Sequence, residues 1–317
     1  MRLVFAGTPA VAVPSLAALL ASEHEVVAAV TRPDAPRGRS RRPVPSDVAQ
    51  WAADQGLPVL KPAHPKDADF VATLRDLAPD ACPVVAYGAL VPQHVLDIPA
   101  HGWINLHFSL LPRWRGAAPV QRAIMAGDTV TGATTFRLVR ELDAGPVHHT
   151  LELPLAGTET AGDVLATLAD SGARLLLQTI DALGDAEPRP QEDAGVTVAP
   201  KLSVEEAELD WRRPAIDLDR LIRGCSPEPM AWTTLDGQRF TVALARPVDV
   251  GDLAPGEIRA EKRRVLAGTG AGALELLRVQ PQGRKEMAGA DWGRGLHGSG
   301  RGFDIAPGSA GPAEARA

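Results

Sequence analysis

RLVFAGTPAVAVPSLAALLASEHEVVAAV, Arg2–Val30, is the stretch that decides the fold class. Arg2 to Ala6 is a short apolar run ending at Gly7-Thr8-Pro9. Ala12 to Ala21 has helical character, and Glu25 to Val30 is a second β-branched run. Strand, helix, strand is the opening of a parallel α/β sheet. The turn at Gly7 is not GxGxxG, so it gives a dinucleotide site no support. Leu3 to Ser22 carries no charge and follows Arg2, the faint outline of a signal peptide. Gly7, Thr8, Pro9 and Pro14 break that run, and its leading region holds a single arginine. No other stretch approaches the ~18 apolar residues of a membrane span. The expectation is a cytoplasmic protein with no membrane partner.

The α/β pattern continues outward from this opening. Ser46–Gln55 and Asp67–Leu77 read as helices, Pro58–Leu60 and Ala81–Tyr87 as strands. Trp103–His107, Ala133–Val139 and Val147–Leu153 are further strands, and Thr160–Leu183 has apolar residues at helical spacing. Pro83 fits a central strand badly, because it cannot donate to the ladder; the strand's first residue or a bulge would suit it. Residues 184 to 200 are rich in Gly, Pro, Asp and Gln, a linker composition. Beyond them Ile216–Arg223 reads as a helix. Short β-like runs follow at Trp232–Leu235, Arg239–Ala245, Glu257–Ala260, Val265–Ala267 and Leu274–Gln280, a spacing that suggests a small barrel. The 317 residues thus divide into an α/β domain over 1–188, a linker over 189–210, a β domain over 211–292 and a disordered Gly/Ala/Pro-rich tail over 293–317.

Two segments carry chemistry-bearing residues. The first is Trp103-Ile104-Asn105-Leu106-His107-Phe108-Ser109-Leu110-Leu111-Pro112-Arg113-Trp114-Arg115-Gly116-Ala117-Ala118-Pro119-Val120-Gln121, the second Glu141-Leu142-Asp143-Ala144-Gly145. Strand alternation puts Asn105 and His107 on one side, at the strand end where α/β sheets bind ligands. An amide, an imidazole and a carboxylate suit acyl transfer. The amide donates to a developing oxyanion, the imidazole donates or moves a proton, and the carboxylate orients it. Ser109 makes no convincing Ser/His/Asp triad, since no Gly-x-Ser-x-Gly elbow is present. His148 and His149 are adjacent on a strand, point to opposite faces, and do not chelate one metal easily. Cys82 and Cys225 stand far apart, in no zinc-binding or disulfide-scaffold spacing.

These segments resemble the folate-dependent formyltransferases, and within that family the methionyl-tRNA formyltransferases. Arg113-Trp114-Arg115-Gly116-Ala117-Ala118-Pro119 with Gln121 is a specific match, and Phe5-Ala6-Gly7-Thr8-Pro9 is the family's opening. Val85-Ala86-Tyr87-Gly88, Ala199-Pro200-Lys201-Leu202-Ser203 with Asp210-Trp211, and Gln280-Pro281-x-Gly283-Arg284-Lys285-x-Met287 also fit. The resemblance implies a Rossmann-like catalytic domain followed by an OB-like, tRNA-binding β-barrel. It implies transfer of formyl from 10-formyltetrahydrofolate to the α-amino group of initiator methionyl-tRNA. The products are N-formylmethionyl-tRNA, for translation initiation, and tetrahydrofolate. Asn105 would hold the formyl oxygen, His107 would stabilise the tetrahedral oxyanion, and Asp143 would pair with His107 and help move the amine proton. The methionyl α-amino group, with a pKa of about 8 or below, needs little activation, which leaves oxyanion stabilisation as the main task. Ser109, Leu110, Leu111 and Pro112 match the folate-contacting turn, with a cis Leu111–Pro112 bond. Tyr87, Gly88 and Leu90 would wall the pterin. Phe108 departs from the small residue common at its place. No metal is implied, and a monomer is expected.

The family's basic loop maps onto Thr31–Pro43, where five arginines and one aspartate give a local charge of +4. A solvated basic loop is the plainer reading. The resemblance makes Arg37, Arg39, Arg41 and Arg42 tRNA-binding residues, with Arg39 at the family's key arginine. The net charge of −6 argues against a nonspecific nucleic-acid coat. It is unevenly spread: residues 214–317 hold 14 basic and 13 acidic residues, with Arg259, Lys262, Arg263 and Arg264 clustered. A formyltransferase acting on a nucleotide-sugar amine is the alternative enzyme. A catalytically dead tRNA- or folate-binding module is the alternative outside enzymes, and the intact Asn105, His107 and Asp143 argue against it.

Overall fold

The computed structural model describes residues 1–36, 42–185, 187–296 and 301–305. Two compact units divide the chain. The first comprises Met1–Val120, Thr129–Ala156 and Asp163–Pro200; the second comprises Gln121–Asp128, Gly157–Gly162 and Lys201–Ala317.

The first unit holds β1 (Arg2–Gly7), β2 (Glu25–Val30), β3 (Ala35–Pro36), β4 (Pro43–Val44), β5 (Val59–Leu60), β6 (Cys82–Val85), β7 (Trp103–His107), β8 (Val130–Arg137) and β9 (Val147–Pro154). Seven of them form one sheet in the order β5-β2-β1-β6-β7-β8-β9, and β3 pairs separately with β4. The sheet is parallel from β5 through β7 and antiparallel from β7 to β9. The sequence follows this division. β1 is covered on both faces and is apolar almost throughout, whereas edge strand β9 alternates toward its end between half-buried and exposed residues.

The helices begin where local chemistry allows. α1 (Val13–Leu20) has Pro14 in its first turn, where the missing N–H removes no helical bond. α2 (Asp47–Asp54) starts from Ser46, whose hydroxyl accepts the Ala49 N–H at 3.1 Å. α3 (Ala68–Leu77) and the long α6 (Ala161–Asp181) follow the sequence pattern. α4 (Gln93–Leu96) and α5 (Pro119–Ala126) are short and carry no periodic signal long enough to predict them.

Pro83 does not take the strand's first position, but the neighbouring β1 carries an irregularity close by, shifting register against β2 between Leu3 and Val4. Pro83 is the second residue of β6, a strand flanked by β1 and β7. Cys82, one residue earlier, donates its N–H to Gly102 on the β7 side, so Pro83's nitrogen faces β1. Pairing of β1 with β6 is interrupted there: Leu3 meets Ala81, and contact resumes only at Ala6 with Val84. The ladder is broken where the N–H is missing.

The second unit contains α7 (Ala215–Gly224), β10 (Ala231–Leu235), β11 (Gln238–Val248), β12 (Ile258–Ala260), β13 (Val265–Gly268), β14 (Ala273–Pro281), β15 (Met287–Ala288) and α8 (Gly289–Gly293). Its antiparallel sheet runs β10-β11-β14-β13-β12, with β15 on β14. No ladder joins β10 directly to β12 among the described residues, but residues 301–304 hydrogen-bond to both edges: Asp304 N–H donates to Thr234 of β10, Ile258 N–H of β12 donates to Arg301, and Phe303 N–H donates to Gly256. The small barrel expected from the sequence is thus an antiparallel sheet whose two edges this segment bridges. Asp236 and Gly237 turn β10 into β11 with φ of 53° and 72°, the double positive φ that a two-residue hairpin demands. Leu218, Leu221 and Ile222 of α7 share a core with Phe240, Val242, Leu276 and Val279.

Two boundaries differ from the sequence reading. The expected linker 189–210 is divided between the units. Arg189 exchanges backbone hydrogen bonds with Val147, Ala199 donates to Arg115, and Leu209 donates to Trp232. The expected disordered tail also contains ordered chain. Phe303 is buried and stacks on Trp211, centroids 4.7 Å apart, while Ile258 N–H donates to Arg301 and Phe303 N–H to Gly256. One large aromatic outweighs a composition otherwise poor in core formers.

Candidate active site

The parallel strands β1, β2, β6 and β7 all end at one edge of the sheet, the edge where such sheets take ligands. On β7, Asn105 is half-buried and His107 is buried. The Asn105 amide has no hydrogen-bond partner among the described residues, so it is open to a ligand. The His107 ring lies edge-on to Phe136, at 6.4 Å and 86°. Its Nε2 lies 2.8 Å from the Trp114 carbonyl oxygen. A carbonyl only accepts, so Nε2 carries the hydrogen. The other nitrogen, Nδ1, faces Asp143 Oδ2 at 3.8 Å, an ion-pair separation too long for a direct hydrogen bond.

Asp143 enters from the β8–β9 connection and is fixed at both ends. Its Oδ2 accepts the Gly116 N–H at 2.8 Å. Its backbone carbonyl accepts Gln191 Nε2 at 2.8 Å, and the same nitrogen donates to the Gly145 carbonyl at 2.8 Å. Gln191 Oε1 accepts Arg115 Nε at 3.1 Å and Nη2 at 2.6 Å. Arg115, Gly116, Asp143 and Gln191 therefore close a ring of hydrogen bonds beside the imidazole. Gly116 is required there: at φ 125° a Cβ would meet the Ala199 carbonyl at 2.7 Å.

Six non-glycine residues among those described have positive φ, and Ala86, Trp114 and Asp143 lie on the loops after β6, β7 and β8. Such conformations cost about 1–3 kcal/mol each and gather at functional sites. The same loops hold the residues matched to the folate turn, but not all as expected. Leu111–Pro112 is cis. Leu110, Leu111 and Pro112 are half-buried. Ser109 is fully buried: its hydroxyl donates to the Arg113 carbonyl at 2.6 Å, and its own carbonyl accepts from Thr134 at 2.7 Å. Its side chain holds the turn rather than facing a ligand. Tyr87 is likewise buried, with its carbonyl accepting the Thr8 hydroxyl at 2.8 Å. Burial pushes its phenol pKa up, against the pull of Arg32. Gly88 and Leu90 do open to solvent. With Arg32, His64, Lys66 and Pro92 they line a concavity of about 400 Å³.

Of the basic loop, Arg37, Arg39 and Arg41 lie outside the described residues. Arg42 is exposed. The β3–β4 ladder pairs the chain on either side, Pro36 opposite Pro43. In the second unit much of the basic cluster is neutralised. Arg259 pairs with Asp252 at 2.8 Å and Arg264 with Glu261 at 2.7 Å. Lys262, Arg263, Arg284 and Lys285 remain exposed, without an acidic partner among the described residues. His149 Nδ1 contacts the Thr179 hydroxyl at 3.0 Å. Among the described residues no group of three or more His, Cys, Asp or Glu could hold a metal ion. Nor is any helix long and apolar enough to cross a membrane.

Sequence reasoning missed the Trp114 carbonyl and the Arg115–Gln191 pair. A backbone oxygen leaves no sequence mark beyond its own residue, and Gln191 sits in a stretch whose composition reads as linker.

Comparison with known proteins gives this geometry a context. Residues 1–180 match the model of the formyl transferase domain, and residues 201–297 match that of the formyl transferase C-terminal domain. A methionyl-tRNA formyltransferase of Streptomyces griseus is 58% identical over 302 residues, covering 93% of this chain and 97% of that protein. One of Thermobifida fusca is 58% identical over 298 residues, covering 93% and 96%. The solved methionyl-tRNA formyltransferase of Clostridium thermocellum shares the fold, with a TM-score of 0.56 at 14% identity over 89% of this chain and 98% of that one. With both domain models matched in order and near-full-length relatives above half identity, the chain belongs to the formyl transferase family.

Proposed function

We propose that this chain transfers the formyl group of 10-formyltetrahydrofolate to the α-amino group of initiator methionyl-tRNA, the reaction that prepares the initiator for translation. The observation that carries the reading is an Asn105 amide with no hydrogen-bond partner among the described residues, on the same strand as a buried His107 whose Nδ1 faces Asp143, in a chain 58% identical to a named methionyl-tRNA formyltransferase.

The amine attacks the formyl carbon, and the carbonyl oxygen gathers negative charge. The Asn105 amide donates to that oxygen. The His107 ring adds positive potential, with Asp143 holding its Nδ1 side. Losing one such donor costs about 10²–10³ in rate. As the tetrahedral centre collapses, the bond from carbon to the folate N10 breaks and the new amide forms. One proton leaves the attacking nitrogen and one is gained by N10, with Asp143 placed to assist the passage. The lining of the concavity beside Gly88 and Leu90 combines apolar Pro65, Ala89, Leu90 and Pro92 with the cations Arg32 and Lys66, a mixture that suits a flat heterocycle carrying carboxylates. The Arg37, Arg39, Arg41 and Arg42 loop supplies forked donors for the tRNA acceptor end. Lys262, Arg263, Arg284 and Lys285 are available to its phosphates.

The deciding experiment offers the protein 10-formyltetrahydrofolate with charged initiator tRNA, charged elongator tRNA and an amino-sugar nucleotide in competition. Formylation of the initiator far above the others is expected. Preference for the amino sugar would overturn the reading in favour of the sugar enzyme, and binding without transfer would make the chain a catalytically dead module.

A further inference from the structure

Gln191 lies in the segment between α6 and α7, 48 residues from Asp143 and 76 from Arg115 in sequence. Its side-chain amide is used completely. Both N–H groups donate to the carbonyls of Asp143 and Gly145, and the oxygen accepts twice from Arg115. The amide's orientation follows from these partners. Reversed, it would set N–H against guanidinium and oxygen against two carbonyls. No other side chain of this size offers donors at one corner and an uncharged acceptor at the other.

The group it grips is the one whose conformation most needs holding. Asp143 has φ 49° and stands between the Gly116 N–H and the His107 ring. Its carboxylate keeps its place only while the backbone beneath stays in that left-handed conformation. We propose that Gln191 is a positioning residue for formyl transfer. By fixing the Asp143 and Gly145 carbonyls, it sets the Asp143 carboxylate against His107, and it does so with an uncharged side chain. This rests on the formyl-transfer reading above.

Gln191→Glu separates the two halves of the contact. A carboxylate still accepts from Arg115, and more strongly, but has nothing to donate to the two carbonyls. Steady-state formyl transfer should show kcat reduced about tenfold to a hundredfold, the scale of a sub-ångström to ångström misplacement, with KM for both substrates near wild type. In an Asp143→Ala background the same change should cost nothing more, since Gln191 acts through Asp143. If Gln191 merely anchored its segment to Arg115, Gln191→Glu would work as well as wild type. Wild-type kcat in Gln191→Glu beside an inactive Asp143→Ala therefore overturns the proposal alone, and so does a change confined to KM. Wild-type transfer by Asp143→Ala overturns the proposal together with the role of Asp143. Should Gln191→Glu fail to fold, Gln191→Leu, which lacks all four bonds, is expected to show the same loss in kcat; a wild-type kcat there is equally fatal.

Discussion

His107 and Asn105 share one strand but present different hydrogen-bonding situations, and this predicts different consequences of their removal. Among the described residues the Asn105 amide has no hydrogen-bond partner, so Asn105→Ala removes the proposed donor to the substrate oxygen without breaking an internal bond. His107 is buried and donates to the Trp114 carbonyl at 2.8 Å. His107→Ala therefore removes the proposed catalytic imidazole and also breaks its hydrogen bond to the Trp114 carbonyl. Both variants should lose about 10²–10³ in single-turnover formyl transfer, with tRNA affinity nearly intact. Only His107→Ala should also lower the melting temperature, reflecting the loss of one internal hydrogen bond worth about 0.5–1.5 kcal/mol. Equal melting temperatures would contradict this division. Strand alternation made the Asn105–His107 pair legible in the sequence. The oxygen that orients the imidazole was not, because it belongs to the backbone of Trp114 in a left-handed conformation that no residue type announces.

At the scale of elements, the outcome of each reading followed the kind of signal used. β1, β2 and the long α6 announced themselves through apolar runs and helical spacing, and all three are present. Composition alone is a weaker guide. Residues 189–200 read as linker because Pro190, Gln191, Asp193, Gly195 and Pro200 break any periodic pattern, yet their backbone is paired with the loop after β7 and with Val147 at the start of β9. Residues 301–305 sit in a Gly-rich tail, yet Phe303 joins Trp211, Phe240 and Trp292 in one aromatic group, with centroids 4.7, 5.2 and 6.2 Å from its ring. Phe303→Ala should destabilise the second unit by about 3–5 kcal/mol, the cost of emptying an aromatic site in a core. Urea denaturation followed by tryptophan fluorescence reads the shift directly. A midpoint unchanged from wild type would mean that the strap contributes nothing to the core.

Across the whole molecule, the net charge of −6 conceals two arrangements. The arginines of the second unit's expected basic cluster are partly bound to carboxylates, whereas the sequence between β3 and β4 concentrates four arginines in six residues. Charge counting along the sequence could locate the loop. It could not tell which cations are neutralised, because Arg259 meets Asp252 across a turn. The triple change Arg39→Ala, Arg41→Ala and Arg42→Ala should weaken use of methionyl-tRNA and flatten its salt dependence, by a slope of about 0.7–0.9 per lost phosphate contact. Unchanged efficiency at moderate salt would remove the loop from the interface. The two cysteines have a practical consequence. Cys82 and Cys225 are both free and buried, and burial holds their thiols well above the ordinary range, Cys225 at about 12. Neither presents a thiolate to reagents at neutral pH. The native chain is thus already a silent background for site-directed labelling. A single Leu142→Cys or Leu90→Cys, at positions 58% and 81% exposed, would carry a fluorophore beside the site without removing any native thiol.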